Sequence, residues 1–308
     1  MNTRDITQQN ITNIVIQGNT SQVKLLRAPY REAFKSLIEN RLTLFGGRNT
    51  ALAQIAKFIN KATGGYLVIT APAGFGKTSL MAKLVSEASE TFAYHFFAPY
   101  ENPNSVTEEG FLRNVVEQMA HWHGCTDTFP EKLPDLDARY NCLLNKSLEH
   151  THVLVIDGLD EVTNWKIARY LSRRLPDNLH IIVTVRDVAQ DLAVNYDFPN
   201  EQTEYLQLGG LTRDDVAQVM WKAGKGATVF ADNPILLKEV MRVSAYQEEP
   251  TLGADPFYVR WLAEDAADGR LTPANIATQP KGLNKYLSAW WREIEESEED
   301  NEPLEDLF

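Results

Sequence analysis

Between residues 65 and 85 an apolar run, Gly65-Tyr66-Leu67-Val68-Ile69-Thr70, leads into Ala71-Pro72-Ala73-Gly74-Phe75-Gly76-Lys77-Thr78-Ser79, and a helical pattern, Leu80-Met81-Ala82-Lys83-Leu84-Val85, follows at once. A strand that delivers a glycine-bearing loop onto a helix N-terminus constrains the fold more than any other stretch of this chain. Successive backbone N–H groups in such a loop form a concave anion site, and glycines let the main chain curl around phosphate. Residues Ala71 to Ser79 therefore read as a phosphate-binding loop, with Lys77 reaching the β- and γ-phosphates and Thr78 ligating Mg²⁺. Ala71 stands where the motif usually has its first Gly.

Short β-branched or aromatic runs then alternate with longer helical patterns: 66–70, 93–97, 153–156, 181–185 and 205–208. Such alternation predicts an α/β fold, a parallel sheet with helices on both faces and the ligand at the carboxyl ends of the strands. Val153-Leu154-Val155-Ile156 and Ile181-Ile182-Val183 are apolar without a break, as central strands covered on both sides require. After Gly209 the pattern turns all-helical. Asn233-Pro234, Asp255-Pro256 and Thr272-Pro273 each place a capping residue before a proline, and Thr212-x-x-Asp215 reads as a capping box. Lys222 to Thr228 echoes a phosphate loop, but lacks the Gly-Lys-Ser/Thr ending and reads as an ordinary loop.

The composition, 44% hydrophobic and 23% charged over 308 residues, is that of a globular chain with room for two domains. No apolar run is long enough to span a membrane and Met1 to Arg27 lacks a signal-peptide pattern, so a cytoplasmic setting is expected. Cys125 and Cys142 suggest neither a disulfide framework nor a thiolate metal site and are expected to be buried or inert. His121-Trp122-His123-Gly124-Cys125 has ligand-type side chains without a second cluster, which a helix end explains equally well. The net charge of −12 is mostly local, since Glu293 to Phe308 carries nine acidic and no basic residues, which leaves −3 over residues 1–292. Nucleic acid is not indicated, because no Lys/Arg cluster is interleaved with aromatics. Trp221, Trp261, Trp290 and Trp291 fall in helical patterns and read as core or interface rather than as a base-stacking platform.

A second chemical signal lies in Val153-Leu154-Val155-Ile156-Asp157-Gly158-Leu159-Asp160-Glu161, a buried strand with one acid at its end and two more within a turn. Asp157 would hold Mg²⁺, while Asp160 or Glu161 would orient or deprotonate an attacking water; spacing does not choose between them. Asp160 as a helix cap also fits the pattern. A third strand, Leu179 to Val185, leads to Arg186 beside the strand of the phosphate loop, which aims Arg186 at the γ-phosphate. A surface pair of Arg186 with Asp187 or Asp191 is the alternative.

Several motifs occur in order: Phe45-Gly46-Gly47-Arg48, the phosphate loop, Tyr94-His95-Phe96-Phe97, Asp157 to Glu161, Thr184-Val185-Arg186-Asp187, Leu208 to Thr212, Asp232 to Leu237, Pro256 to Leu262 and Pro280 to Leu283. On these the chain resembles a NACHT-type STAND NTPase from about residue 42 to residue 292. The resemblance implies that Gly46, Gly47 and Arg48 run beside the adenine, that Pro234 closes over the base and that Arg186 senses the γ-phosphate. It also implies a switch held closed with ADP and opened when a ligand binds. ATP would then support homo-oligomerisation, and an effector, like the sensed ligand expected to be a protein, would be triggered in prokaryotic defence or regulation.

The expected molecule is thus an ASCE/AAA+-like P-loop NTPase followed by a small all-helical lid, binding ATP/ADP and Mg²⁺. Its expected parts are residues 1–26 as a tail or short hairpin, 27–41 as a connector helix, 42–209 as the NTPase domain, 210–292 as the helical domain and 293–308 as an acidic linker. The linker reads like the approach to a winged helix that is cut short, so the sensing half is expected elsewhere, and residues 1–26 are too short for an effector domain. Two other readings remain open, an AAA+-type working ATPase on DNA and a non-hydrolysing scaffold stabilised by nucleotide. A small-molecule kinase fits less well, for want of an acceptor pocket.

Overall fold

The apolar runs become five strands: β1 (Gly65–Ala71), β2 (Phe92–Phe96), β3 (His152–Asp157), β4 (Leu179–Arg186) and β5 (Thr203–Gln207). The structure, a computed structural model, describes residues 29–87, 91–125, 129–171, 173–186 and 196–299. The stretch 1–26, Asp187, Asp191 and the stretch 300–308 lie outside these residues. The strands form one sheet in the order β2-β3-β4-β1-β5, and each neighbouring pair is parallel. All of β1 is buried, and Val153 to Ile156 and Ile181 to Val183 are fully inaccessible, as strands covered on both faces must be. The chain adopts the α/β P-loop NTPase fold, with the strand of the phosphate loop between β4 and β5.

Around the sheet lie α1 (Pro29–Leu42), α2 (Asn49–Ile59), α3 (Lys77–Ser86), α4 (Glu108–Trp122), α5 (Leu133–Leu144) and a short α6 (Ala168–Leu171). Tyr66, Val68, Ala93, Leu154, Ile156, Ile181 and Val183 share one core with Phe111, Val115 and Met119 of α4 and Tyr140 of α5. Leu67 and Ile69 alternate with Tyr66 and Val68 and are buried on the opposite face. The outer edge of β2 is closed by a side chain. The backbone N–H of Tyr94 donates to Gln118 Oε1 at 2.9 Å, and Gln118 Nε2 returns a bond to the Tyr94 carbonyl at 2.8 Å. An amide on α4 thus pairs with the strand as another strand would, which removes the exposed edge at this position.

The chain divides between Leu208 and Gly209 into two compact units. The second is helical: α7 (Arg213–Ala223), α8 (Lys225–Asp232), α9 (Pro234–Val243), α10 (Pro256–Ala267) and α11 (Leu283–Glu299). Thr212 and Asp215 form the predicted capping box, and the carboxamide of Asn233 and the carboxylate of Asp255 each accept two backbone N–H groups at the starts of α9 and α10.

Several expectations are corrected. Thr272-Pro273 opens no α-helix, only a turn and the 3-10 segment Ile276–Thr278, because Pro280 follows too soon for a helix to propagate. Lys222 to Thr228 is not a loop, since α8 begins at Lys225 and only Gly224, at φ 111°, breaks the helical path. Helix α11 runs to Glu299 and passes the boundary expected at 292. Cys142 is exposed and Cys125 half-buried. Of the tryptophans expected in core or interface, Trp221, Trp290 and Trp291 are exposed, which removes the core for these three. No described helix is long and apolar enough to cross a membrane.

Candidate functional site

The loop after β1 is shaped by two glycines with positive φ, Gly74 at 81° and Gly76 at 80°. Gly76 precedes α3, and a Cβ there would meet nothing within 4 Å, so the requirement is the left-handed backbone and not space. The ring of Phe75 is buried and anchors the loop between them. The first helical bond of α3, Leu80 N–H to the Gly76 carbonyl, is 2.9 Å, which places the amides of the first turn at the helix's positive end. Lys77 folds its ammonium over the end of β1, donating to the carbonyls of Ala71 at 2.7 Å and Pro72 at 3.1 Å.

Arg48 is buried and lies in the left-handed region at φ 63°, directly after Gly47 at 73°. Its Nη2 donates to the Phe75 carbonyl at 2.9 Å, which braces the backbone of the phosphate loop from α2. The resemblance puts Gly46, Gly47 and Arg48 along the adenine; the contact of Arg48 with the loop is no part of that expectation, and no local pattern encodes a bond across 27 residues.

Asp157, the last residue of β3, is 3% exposed. Both its oxygens are engaged: Thr78 Oγ1 donates to Oδ2 at 2.7 Å and Thr184 Oγ1 donates to Oδ1 at 2.6 Å. Burial pushes its carboxyl above the ordinary range, against the two hydroxyl bonds and the charge of Lys77. The chain then turns through Gly158, at φ 80°, into a 3-10 turn, Leu159–Glu161. A Cβ on Gly158 would sit 3.1 Å from the carbonyl of Phe97, so this turn is tight in both conformation and space.

That turn presents Asp160 and Glu161 to the end of β4. The Arg186 backbone N–H donates to Asp160 Oδ1 at 3.0 Å, its Nε lies 2.8 Å from Asp160 Oδ2, and Nη2 lies 2.5 Å from Glu161 Oε1. Arg186 therefore pairs with both acids, neither of them among the partners expected for a surface pair. Asp160 accepts from Arg186 rather than capping a following helix.

The structure brings Lys77, Thr78, Asp157, Asp160, Glu161 and Arg186 together at the carboxyl ends of β1, β3 and β4, with Ala71 opposite Arg186 in the register. Ser79 follows in the first turn of α3, and Pro234 opens α9 in the helical unit. Thr184, which joins Asp157 to β4, was not singled out as a site residue; a polar residue inside the apolar run Ile181–Val185 was the available signal.

A hard divalent cation prefers oxygen ligands in few protein contacts, with phosphate supplying others. The Thr78 hydroxyl against the Asp157 carboxylate, 2.7 Å apart, is a donor pair of that kind. Among the described residues no cluster of three or more His, Cys, Asp or Glu could hold a metal by itself. His123 instead contacts the Leu143 carbonyl through Nε2 at 3.2 Å.

A family profile described as "Nephrocystin 3, N-terminal" matches residues 51–186, from α2 to the end of β4 and less than half of the chain. No curated protein sequence matches. Among solved structures, the chain is similar to Drosophila ORC bound to DNA, at 12% identity over 90% of this chain and 73% of that one, with a TM-score of 0.45. For Cdc6p from Pyrobaculum aerophilum the values are 11%, 88%, 67% and 0.43. For a Thermotoga maritima RuvB variant they are 14%, 81%, 70% and 0.37.

Proposed function

We propose that this chain is the Mg²⁺-dependent ATP-binding and ATP-hydrolysing module of a NACHT-type signalling switch, ADP-held at rest and oligomeric with ATP. The observation that carries the nucleotide reading is the 2.7 Å bond between Thr78 of the phosphate loop and Asp157 at the end of β3. Two motifs 79 residues apart meet there as one oxygen pair. The ordered motifs from Phe45 to Leu283 support the switch reading.

In this reading the loop amides and Lys77 bind the phosphates, and Lys77 exchanges its two carbonyl partners for phosphate oxygens. Thr78 and Asp157 would hold Mg²⁺, which when bound neutralises charge on the β- and γ-oxygens. Asp160 and Glu161 present carboxylates for a water, and Arg186 fixes both acids while standing opposite the end of β1. Asp160 or Glu161 accepts the water's proton as its oxygen attacks the γ-phosphorus and the bond to the β–γ bridging oxygen breaks. The defence setting rests on family resemblance alone.

The test is to denature freshly purified protein and quantify released nucleotide by ion-exchange chromatography, then to measure Mg²⁺-dependent ATP turnover. Near-stoichiometric ADP and slow turnover are expected for the wild type, and neither for Lys77→Ala. A wild type that neither carries nor binds nucleotide, or a Lys77→Ala variant that does both normally, overturns the assignment.

A further inference from the structure

Helices α10 and α11 carry a connected run of aromatic rings. Between centroids, Phe257 lies 4.9 Å from Trp261, Trp261 lies 5.3 Å from Tyr286 and 6.1 Å from Trp290, and Trp290 lies 6.4 Å from Trp291. The inner end is held in place: Tyr286 packs against the core of the helical unit, and its hydroxyl donates to Asp265 Oδ2 at 2.7 Å. The outer rings are open to water, Phe257 at 40%, Trp290 at 45% and Trp291 at 59% exposure. They present about 300 Å² of joined aromatic surface, a patch of the size that commonly serves in recognition. The charges of α11 are segregated along the same helix. Lys285 and Arg292 are its only charged residues from Leu283 to Arg292, whereas Glu293 to Glu299 holds five glutamates and no base. Glutamates in the last two turns oppose the helix dipole, and pairs such as Glu295 and Glu299, four apart, repel each other. Such a helix end gains stability from cations that another chain supplies.

We propose that this face binds a second copy of the chain, the two α11 helices lying antiparallel about a two-fold axis near the boundary between Arg292 and Glu293. That pairing sets the basic half of each helix beside the acidic half of the other, and brings the two Trp291 rings within a turn of each other. A parallel pairing would set five glutamates beside five, so charge selects the antiparallel arrangement. Lys285 already lies 2.7 Å from Glu248 Oε1 in its own chain, and both side chains are exposed enough for that pair to be shared. The face includes no residue of the phosphate site. Its association therefore needs no nucleotide, unlike the ATP-supported oligomer of the proposed switch.

The experiment is sedimentation velocity on the full chain in EDTA without added nucleotide, from about 1 to about 100 μM. The wild type is expected to pass from monomer to dimer over this range, and Trp291→Ala to weaken the dimer by ~30-fold or more. Lys285→Glu with Arg292→Glu makes the helix acidic throughout, and Glu295→Lys with Glu296→Lys and Glu299→Lys makes it mainly basic. Each of these variants alone should be monomeric, whereas their equimolar mixture should dimerise. A wild type that stays monomeric at the highest concentration overturns the inference, as does a dimer that forms only with added ATP. So does a dimer whose affinity Trp291→Ala leaves unchanged, or a mixture of the two charge variants that stays monomeric. If Trp291→Ala does not fold, the charge variants leave the aromatic run intact and decide the matter alone.

Discussion

Acidification is expected to expose what the fold gains by burying His95. Its ring is 1% exposed in β2, edge-on to Phe34, Phe97 and Phe111 at 5.4, 4.7 and 5.3 Å. The hydrogen-bond chain decides the tautomer. Tyr94 N–H fixes Gln118 Oε1 as an acceptor, so Gln118 Nε2 donates to Asn114 Oδ1 at 2.6 Å, and Asn114 Nδ2 faces His95 Nδ1 at 2.8 Å. Nδ1 must accept, and Nε2 carries the proton donated to the Ser105 carbonyl at 2.8 Å. Protonation would set an N–H of the ring against the Asn114 amide and place a charge in the core. Burial accordingly lowers the pKa from 6.5 to about 4, against the bond to Ser105. With the folded pKa below the unfolded one, the stabilisation is complete above the unfolded value and is lost as pH falls toward the folded value. The shift corresponds to ~3 kcal/mol. His95→Gln keeps a donor for Ser105, does not titrate, and starts ~1–3 kcal/mol less stable at neutral pH because Asn114 loses its acceptor. Urea denaturation of both proteins from about pH 7.5 to about pH 4.5 should show the gap between them closing by roughly 2–3 kcal/mol or reversing. His123, His152 and His180, whose pKa values burial also lowers, cancel in the difference. Parallel stability curves, with the gap constant to within about 1 kcal/mol, would refute the reasoning.

Neutralising both acids of the turn, Asp160→Asn with Glu161→Gln, should leave ATP binding intact and slow hydrolysis by ~10²–10⁴-fold in a phosphate-release assay. Unchanged turnover would place the base elsewhere. Arg186→Ala should narrow the ratio of ATP to ADP affinity measured by calorimetry; because its side chain is 53% exposed, the accompanying loss of stability should stay below about 1 kcal/mol. An unaltered ratio would exclude Arg186 as a reader of the γ-phosphate.

The parts of the fold legible in the sequence are those in which one local rule acts without competition. Val153 to Ile156 and Ile181 to Val183 are strands because an uninterrupted apolar run of that length has nowhere to go except a sheet covered on both faces. Thr212, Asn233 and Asp255 cap helices because an amphipathic stretch follows each. Thr272 carries the same local signal without that stretch. Leu271 and Ile276 are buried, but the chain between Pro273 and Pro280 has no room for a helical face. The Gly-rich stretch around Gly226 misled in the opposite direction. A Cβ at Gly226 would lie 2.0 Å from the Ala266 carbonyl, so this glycine lets α8 approach α10 and does not mark a loop.

At the site, Lys77, Thr78 and Asp157 were readable because each sits at a fixed offset from a strand end. The partners of Arg186 and Thr184 were not, because they depend on register between β3 and β4. Ile156 is opposite Val183, and the pairing carried one residue further sets Asp157 beside Thr184. With a side-chain period of two, Thr184 and Arg186 share a face, while Val183 and Val185 face the core that holds Phe111 and Tyr140. A slip of one residue would turn both polar groups into that core and bring a valine against Asp157. The burial that makes β4 a strand is therefore what holds Thr184 on Asp157 and Arg186 on Asp160 and Glu161, and the core selects the register on which the proposed chemistry depends.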